Sequence, residues 1–237
     1  MEKSLVFNIF GWNVDMVGVI GSTLMAIVVF AICYALSRKI EMKPNNKQNA
    51  LEMMIDFTDG IVRDNVSDEA ARKHLSLYAF VLFLFIFCMN QLGLFLEVKV
   101  GDYMVIKSPT ADPVTTMSFA MMTLLLSFTF GIQKFGTKGY LKNYANPVGF
   151  LLPINIIEEF TNFLTLSLRL YGNIFAGEVL LTLIGGQLGP SYGIITRILA
   201  APLAMIWQGF SVFIGSIQAY VFVTLSMVYI GKKVTQE

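Results

Sequence analysis

The chain has 237 residues, 55% of them hydrophobic and 14% charged, and its mean hydropathy is +0.65. Soluble domains run about 45–50% apolar and about 25% charged, so this chain lacks the polar coat of a water-soluble monomer and reads as an integral membrane protein. Its 17 basic and 16 acidic residues balance to a formal charge of +1, which argues against a nucleic-acid partner. One histidine, His74, cannot build a metal centre, and Cys33 and Cys88 sit inside apolar runs without metal-ligand spacing. A zinc protein and a disulfide-stapled secreted enzyme are thereby excluded, and no cofactor is expected.

Residues 1–15 carry Glu2, Lys3 and Asp15 around a short apolar patch that includes Phe7, Ile9 and Trp12. No small-residue cleavage site follows the next apolar run, so an interfacial segment is expected here and not a cleavable signal. Val17–Leu36 is 20 uncharged residues, about 30 Å as a helix, the thickness of a bilayer core. Between spans, segment 37–74 places Leu51, Met54, Ile55, Thr58, Ile61 and Val62 at helical spacing, with Glu52, Asp56, Asp59 and Asp64 between them. That periodicity predicts an amphipathic helix on the cytoplasmic interface or against a partner. Leu75–Leu96 and Val114–Ile132 are the next spans. Two longer apolar stretches, 148–184 and 194–230, end the chain; each would reach about 55 Å as a helix, nearly twice a bilayer core. Such lengths demand steep tilt, a kink or a broken span, and Pro153 and Pro202 offer kink positions.

Basic residues set the orientation. Arg38, Lys39, Lys43, Lys47, Arg63, Arg72 and Lys73 lie in segment 37–74, Lys134, Lys138 and Lys142 in segment 133–147, and Lys232 and Lys233 at the carboxyl end. The other side holds Lys3, Lys99 and Lys107. The positive-inside rule then puts the amino terminus outside and the carboxyl terminus in the cytoplasm, and five crossings close the arrangement. The expected fold is an all-α polytopic membrane protein forming a single membrane domain over 1–237. Its parts are an outer amino terminus with first span (1–36), a cytoplasmic amphipathic segment (37–74), two spans with an outer loop (75–134) and a long helical hairpin (148–232). No internal repeat supports an inverted-repeat transporter.

Charges inside a membrane are costly and functional by default. Stretch 148–184 contains four, Glu158, Glu159, Arg169 and Glu178; the run from Ile198 to Gly231 contains none but carries Gln208, Ser211, Ser216, Gln218 and Thr224. On a helix, Asn162, Thr165 and Asn173 fall at −7, −4 and +4 from Arg169 and form one polar stripe with it. Glu158 shares that face about 16 Å away, and Glu178 points to the opposite side. Arg197, Ala204, Ser211 and Gln218 recur every seven residues on the last helix. Two long helices each carrying one polar seam suggest a polar path through protein. A guanidinium keeps its proton in poor surroundings, so Arg169 acts as a fixed gate, whereas Glu158, Glu159 and Glu178 can titrate once burial raises their pKa. The alternative for Arg169 is a buried structural salt bridge. Glu158 and Glu159 equally fit a place at the membrane surface, and Asn173 and Gln218 ordinary interhelical hydrogen bonds. His74 reads as interfacial and Glu97 as a solvated span end; Gly172 and Gly177 permit close approach of another helix.

The run Leu166 to Glu178, LSLRLYGNIFAGE, closely resembles the signature of subunit a of bacterial F-type ATP synthases. Leu152–Phe160, LPINIIEEF, and Ile217–Tyr220, IQAY, are similar to the same family, and the likeness covers essentially the whole chain. The resemblance implies a static proton-channel subunit of the bacterial cell membrane. It implies partners in a ring of c subunits, the peripheral-stalk b subunits and membrane lipid. It also implies that the last two helices run steeply tilted against the ring, with two aqueous half-channels. Arg169 matches the family's essential arginine, Asn173 and Gln218 its polar neighbours, and Glu178 a half-channel acid. Glu158 or Glu159 matches a further acid. Where some members pair the acid with a histidine, this chain has Ser211, so a relay through Glu178 must use water or Ser211. No phosphate-binding GxxxxGK[ST] loop is present, so nucleotide chemistry belongs to partners. The rival readings are a self-contained transporter or channel and a membrane scaffold.

Overall fold

The computed structural model describes residues 6–9, 12–38, 45–95, 98–100, 103–106, 108–145, 151–186 and 194–235. Six α-helices dominate: α1 (Met16–Ser37), α2 (Asn46–Asn65), α3 (Glu69–Phe95), α4 (Pro113–Ala145), α5 (Leu151–Gly186) and α6 (Ile194–Thr235). Five of them, all but α2, are long and apolar enough to cross a membrane. The polytopic helical reading therefore holds, with each span near its expected place. Two features were not expected from the sequence: small antiparallel hairpins ahead of α1, β1 (Val6–Ile9) with β2 (Trp12–Asp15), and between α3 and α4, β3 (Val98–Val100) with β4 (Tyr103–Ile106). Backbone pairing within such short extended pieces satisfies polar groups where the chain turns outside a helix. Glu97 lies outside the described residues, and His74 is exposed near the start of α3.

The core is built where α3 meets α6. Leu75, Ala79, Leu82 and Ile86 of α3 pack on Ala219, Phe222, Val223, Met227 and Ile230 of α6, with Leu166 and Leu170 of α5 closing the third side. Lipid tails are as apolar as these side chains, so close van der Waals packing, more than water exclusion, holds the faces together. Large apolar residues such as Phe30, Met205, Ile206 and Phe213 point outward, as a lipid-facing surface requires. α1 is peripheral; Val29 joins Phe80 and Leu84 in a separate cluster that half-buries Cys33 and Cys88, both free thiols.

Helix α2 bears out the periodicity of segment 37–74. Asn45 caps it, its side-chain oxygen accepting from the Asn46 amide at 2.8 Å, which satisfies one otherwise orphaned donor. Thr58, Ile61 and Val62 are buried, but Ile55 stays 41% exposed and is not part of the covered face. The apolar face rests on α3 and α6 of the same chain. A side chain at Gly231 of α6 would collide with the Asn65 carbonyl at the end of α2, so this glycine allows the two backbones to meet.

Neither long helix ends at its proline. Pro153 stands in the first turn of α5, where its missing amide would have had no acceptor, and α6 continues through Pro202. The one non-helical residue inside a helix lies in α4 instead, at Gly136 with φ 72° and ψ 161°, a region essentially reserved for glycine. At 36 and 42 residues, α5 and α6 measure about 54 and 63 Å. They run antiparallel: Glu158 meets Lys232, Asn173 meets Gln218, and Gly177 meets Ser211.

Candidate functional site

Arg169 sits mid-span on α5, 17 residues beyond Leu152 and 15 before Ile184, so about 23–26 Å of helix separates it from either end. It is exposed and forms no ion pair with any described residue. The salt-bridge alternative thus finds no internal partner among the described residues. One turn on, Asn173 Nδ2 donates to Gln218 Oε1 at 2.7 Å, joining the two polar residues singled out on separate helices. Gln218 is 4% exposed, and its Nε2 finds no acceptor among the described residues.

Two cavities lie along the seam on either side of the level of Arg169, each with a few polar side chains in a largely apolar wall. Beyond it, a cavity of about 150 Å³ is walled by Asn173, Gly177, Trp207 and Ser211 together with Leu94 and Phe210. The Ser211 hydroxyl is buried there without a described partner. Trp207 Nε1 donates to the Gly177 carbonyl at 3.3 Å, holding α6 against α5 at that level. Before it, a cavity of about 20 Å³ is lined by Thr123, Ser127, Glu159, Asn162 and Tyr229, room for a single water with several polar neighbours. Leu166 and Asn162, one and two turns before Arg169 on α5, are on its wall.

The acids differ in their settings. Glu159 pairs with Lys233, the two side chains only 19% and 12% exposed, whereas Glu158 stands 4.0 Å from Lys232 with both largely exposed. Glu178 is half-buried on α5 and is not on the wall of either cavity. Asn162 is half-buried on the small cavity, and Thr165 is exposed. The side chain of Arg197 lies outside the described residues, while Ser211 and Gln218 of the same seven-residue series are both buried.

Residues 19–231 match the family model described as ATP synthase A chain. The chain belongs to this family. It is 50% identical over 237 residues to an ATP synthase subunit a of Pediococcus pentosaceus, covering 100% of this chain and 99% of the relative. It is 51% identical over 241 residues to that of Enterococcus faecalis, with coverage of 100% and 99%. With that of Limosilactobacillus fermentum it shares 47% over 234 residues, 99% and 98% of the two chains.

A third contributor to the seam, α3, did not stand out in the sequence. Asn90, fully buried, donates through Nδ2 to the Gly215 carbonyl at 2.9 Å. Gln91 Nε2 donates to the Val212 carbonyl at 3.1 Å and to Ser216 Oγ at 2.8 Å. Gln208 of α6 returns a bond to the Leu94 carbonyl at 2.5 Å. Asn90 Oδ1 and Gln91 Oε1 are buried and have no described donor. The signal was present: two adjacent amides interrupt an otherwise apolar run, and intramembrane polar groups mark function by default.

Proposed function

We propose that this chain conducts protons across the bacterial cell membrane as the stator subunit of a rotary ATP synthase, with Arg169 separating two half-channels. One observation carries the reading: a permanently charged guanidinium stands mid-span, open to the outside of the chain, between two cavities that hold Asn173 and Ser211 on one side and Glu159 and Asn162 on the other. A charge so placed is costly without a partner, and the chain supplies none among its described residues. A carboxylate arriving on a ring of c subunits would provide it. The surface around Arg169 favours such a neighbour, since Gly172 and Ala176 follow on the same face, and a side-chain carbon at Gly172 would meet nothing within 4 Å. Small residues four apart let a second helix approach closely.

The chemistry follows from two opposing effects. Low-dielectric surroundings favour the neutral acid, and a nearby cation favours the anion. A ring carboxylate facing lipid keeps its proton and releases it as it nears Arg169. The arginine does not titrate, so it passes no proton and keeps the two waters-accessible regions apart. Asn173, Gln218, Ser211, Asn90 and Gln91 line the outer route, where the cavity of about 150 Å³ gives room for water beside Asn173 and Ser211. Glu178 feeds this route through water or Ser211. Glu159, with Asn162 and Tyr229, serves the cytoplasmic route, and Glu158 lies at its mouth beside Lys232. With the amino terminus outside and the carboxyl terminus inside, each proton contributes about 2.3 kcal/mol per 100 mV to turning the ring. The long helices lie steeply tilted along the ring, and the peripheral stalk holds the chain still. Nucleotide chemistry belongs to partner subunits, so the chain is not an enzyme by itself.

The test is Arg169→Ala in membrane vesicles holding the whole complex, with assembly, ATP-driven pumping and passive proton leak all recorded. An assembled complex that no longer pumps, with leak kept or raised, is the expected result. Normal pumping would sink the mechanism, and failure to assemble would favour the scaffold. Proton flux by the isolated chain would favour a self-contained channel.

A further inference from the structure

The break at Gly136 folds the last part of α4, residues 137–145, back toward the span it ends. Tyr140 comes to lie against Gly131, where a side-chain carbon would stand 2.5 Å from the ring, and meets Phe128 edge to face with centroids 6.2 Å apart. Between this elbow and the first turns of α5 an open groove of about 490 Å³ remains, walled by Phe128, Ile132, Tyr140, Leu152, Ile156 and Glu159. That volume falls in the range of about 300–1,000 Å³ usual for small-molecule sites. Apart from Glu159 and Thr137 its walls are hydrocarbon and aromatic ring, so they suit an acyl chain.

The charges around it are unequal. Glu159 is the one carboxylate on the wall, and Lys233 neutralises it. Lys134 is engaged by Asp68 at 3.0 Å. Lys138, which follows the wall residue Thr137, is exposed and forms no ion pair with any described residue. An apolar groove with an exposed cation next to one of its wall residues selects for a negative headgroup. We propose that this groove binds an anionic glycerophospholipid of the leaflet nearest Lys232 and Lys233, one acyl chain lying between α4 and α5 and the phosphate on Lys138. The inference requires only that α4 and α5 span a bilayer; it shares the wall residue Glu159 with the proposed cytoplasmic route but does not rest on proton conduction.

The test uses the intact complex reconstituted in vesicles containing a trace of phosphatidylglycerol with a diazirine on its acyl chain, beside matched vesicles with the phosphatidylcholine counterpart. After photolysis, labelled peptides are mapped by mass spectrometry. Phosphatidylglycerol is expected to label residues 128–132 and 152–156 about fivefold more than phosphatidylcholine, the factor equivalent to about 1 kcal/mol per basic residue at a membrane surface. Lys138→Gln, an exposed substitution, should bring the two lipids level, and Ile156→Trp, which fills the groove, should lower both. Equal labelling by the two headgroups, or Lys138→Gln without effect, would overturn the proposal. So would an unlabelled groove in a complex whose α1 is labelled, because protein would then cover it.

Discussion

Replacing Asn173 or Gln218 by leucine should have unequal consequences, although the two share a single hydrogen bond. Gln218 is 4% exposed; its Oε1 accepts one bond of 2.7 Å, and its Nε2 has no described acceptor. Asn173→Leu removes the only described partner of that buried carboxamide and leaves both its polar atoms orphaned, at a cost of about 1–3 kcal/mol. Gln218→Leu removes both buried polar atoms at once and leaves Asn173 at an exposed position, so its cost is expected to be near zero. A double-mutant cycle should give a coupling of about 0.6 kcal/mol and not above about 1.7, the range for side-chain hydrogen bonds in helical membrane proteins. The assay is unfolding of the purified chain in mixed micelles titrated with sodium dodecyl sulfate. A Gln218→Leu penalty equal to that of Asn173→Leu would refute the reasoning. It would mean that Nε2 is already satisfied by water, and the wet region would then extend past Asn173 toward Arg169.

Two further outcomes concern the end of the fold that carries Lys232 and Lys233. A hydrogen bond from Ser76, and then the charges of Arg63 and Arg72, hold Asp59 below its ordinary carboxylate value despite partial burial. A lowered folded value gives stability that is fully present above the unfolded pKa and lost as pH falls through the folded one. The melting temperature should therefore drop below about pH 4, and Asp59→Asn should flatten that drop. Gly136→Ala should destabilise by about 1–3 kcal/mol, because φ 72° with ψ 161° is a conformation that alanine avoids. Gly139→Ala, three residues on in regular helix, should be neutral or stabilising by up to about 1 kcal/mol, and thermal melts of the two variants make the comparison.

The five spans were legible because a bilayer imposes one length and one composition on every helix that crosses it. The amphipathic face of α2 was legible because Leu51, Thr58, Ile61 and Val62 repeat at the helical period, although the sequence did not say that α3 and α6 would cover it. The polar stripe through Asn162, Arg169 and Asn173 is a matter of local spacing and could be read directly. The pairing of Glu159 with Lys233 could not, since it joins residues at opposite ends of an antiparallel hairpin whose register only tertiary packing decides. Asn90 and Gln91 were hidden for a different reason: their neighbours look like an ordinary apolar span, and their importance appears only when Gly215 and Ser216 of α6 arrive opposite them. Gly136 shows the limit of pattern reading, because one glycine among many gives no sign that it will be the one among the described glycines to take a positive φ.

Gly172 places stability and fitness at odds. A methyl group there would touch nothing among the described residues, and alanine is better than glycine inside a helix by about 1 kcal/mol. A screen that rewards only thermal stability of the isolated chain would therefore accept the replacement and score it as an improvement. Any cost of the replacement must then come from a neighbour outside the polypeptide. Stability data and complementation data on the same library should therefore disagree most along the face that Arg169 shares with Gly172 and Ala176, and the width of that disagreement would outline the footprint of the neighbour.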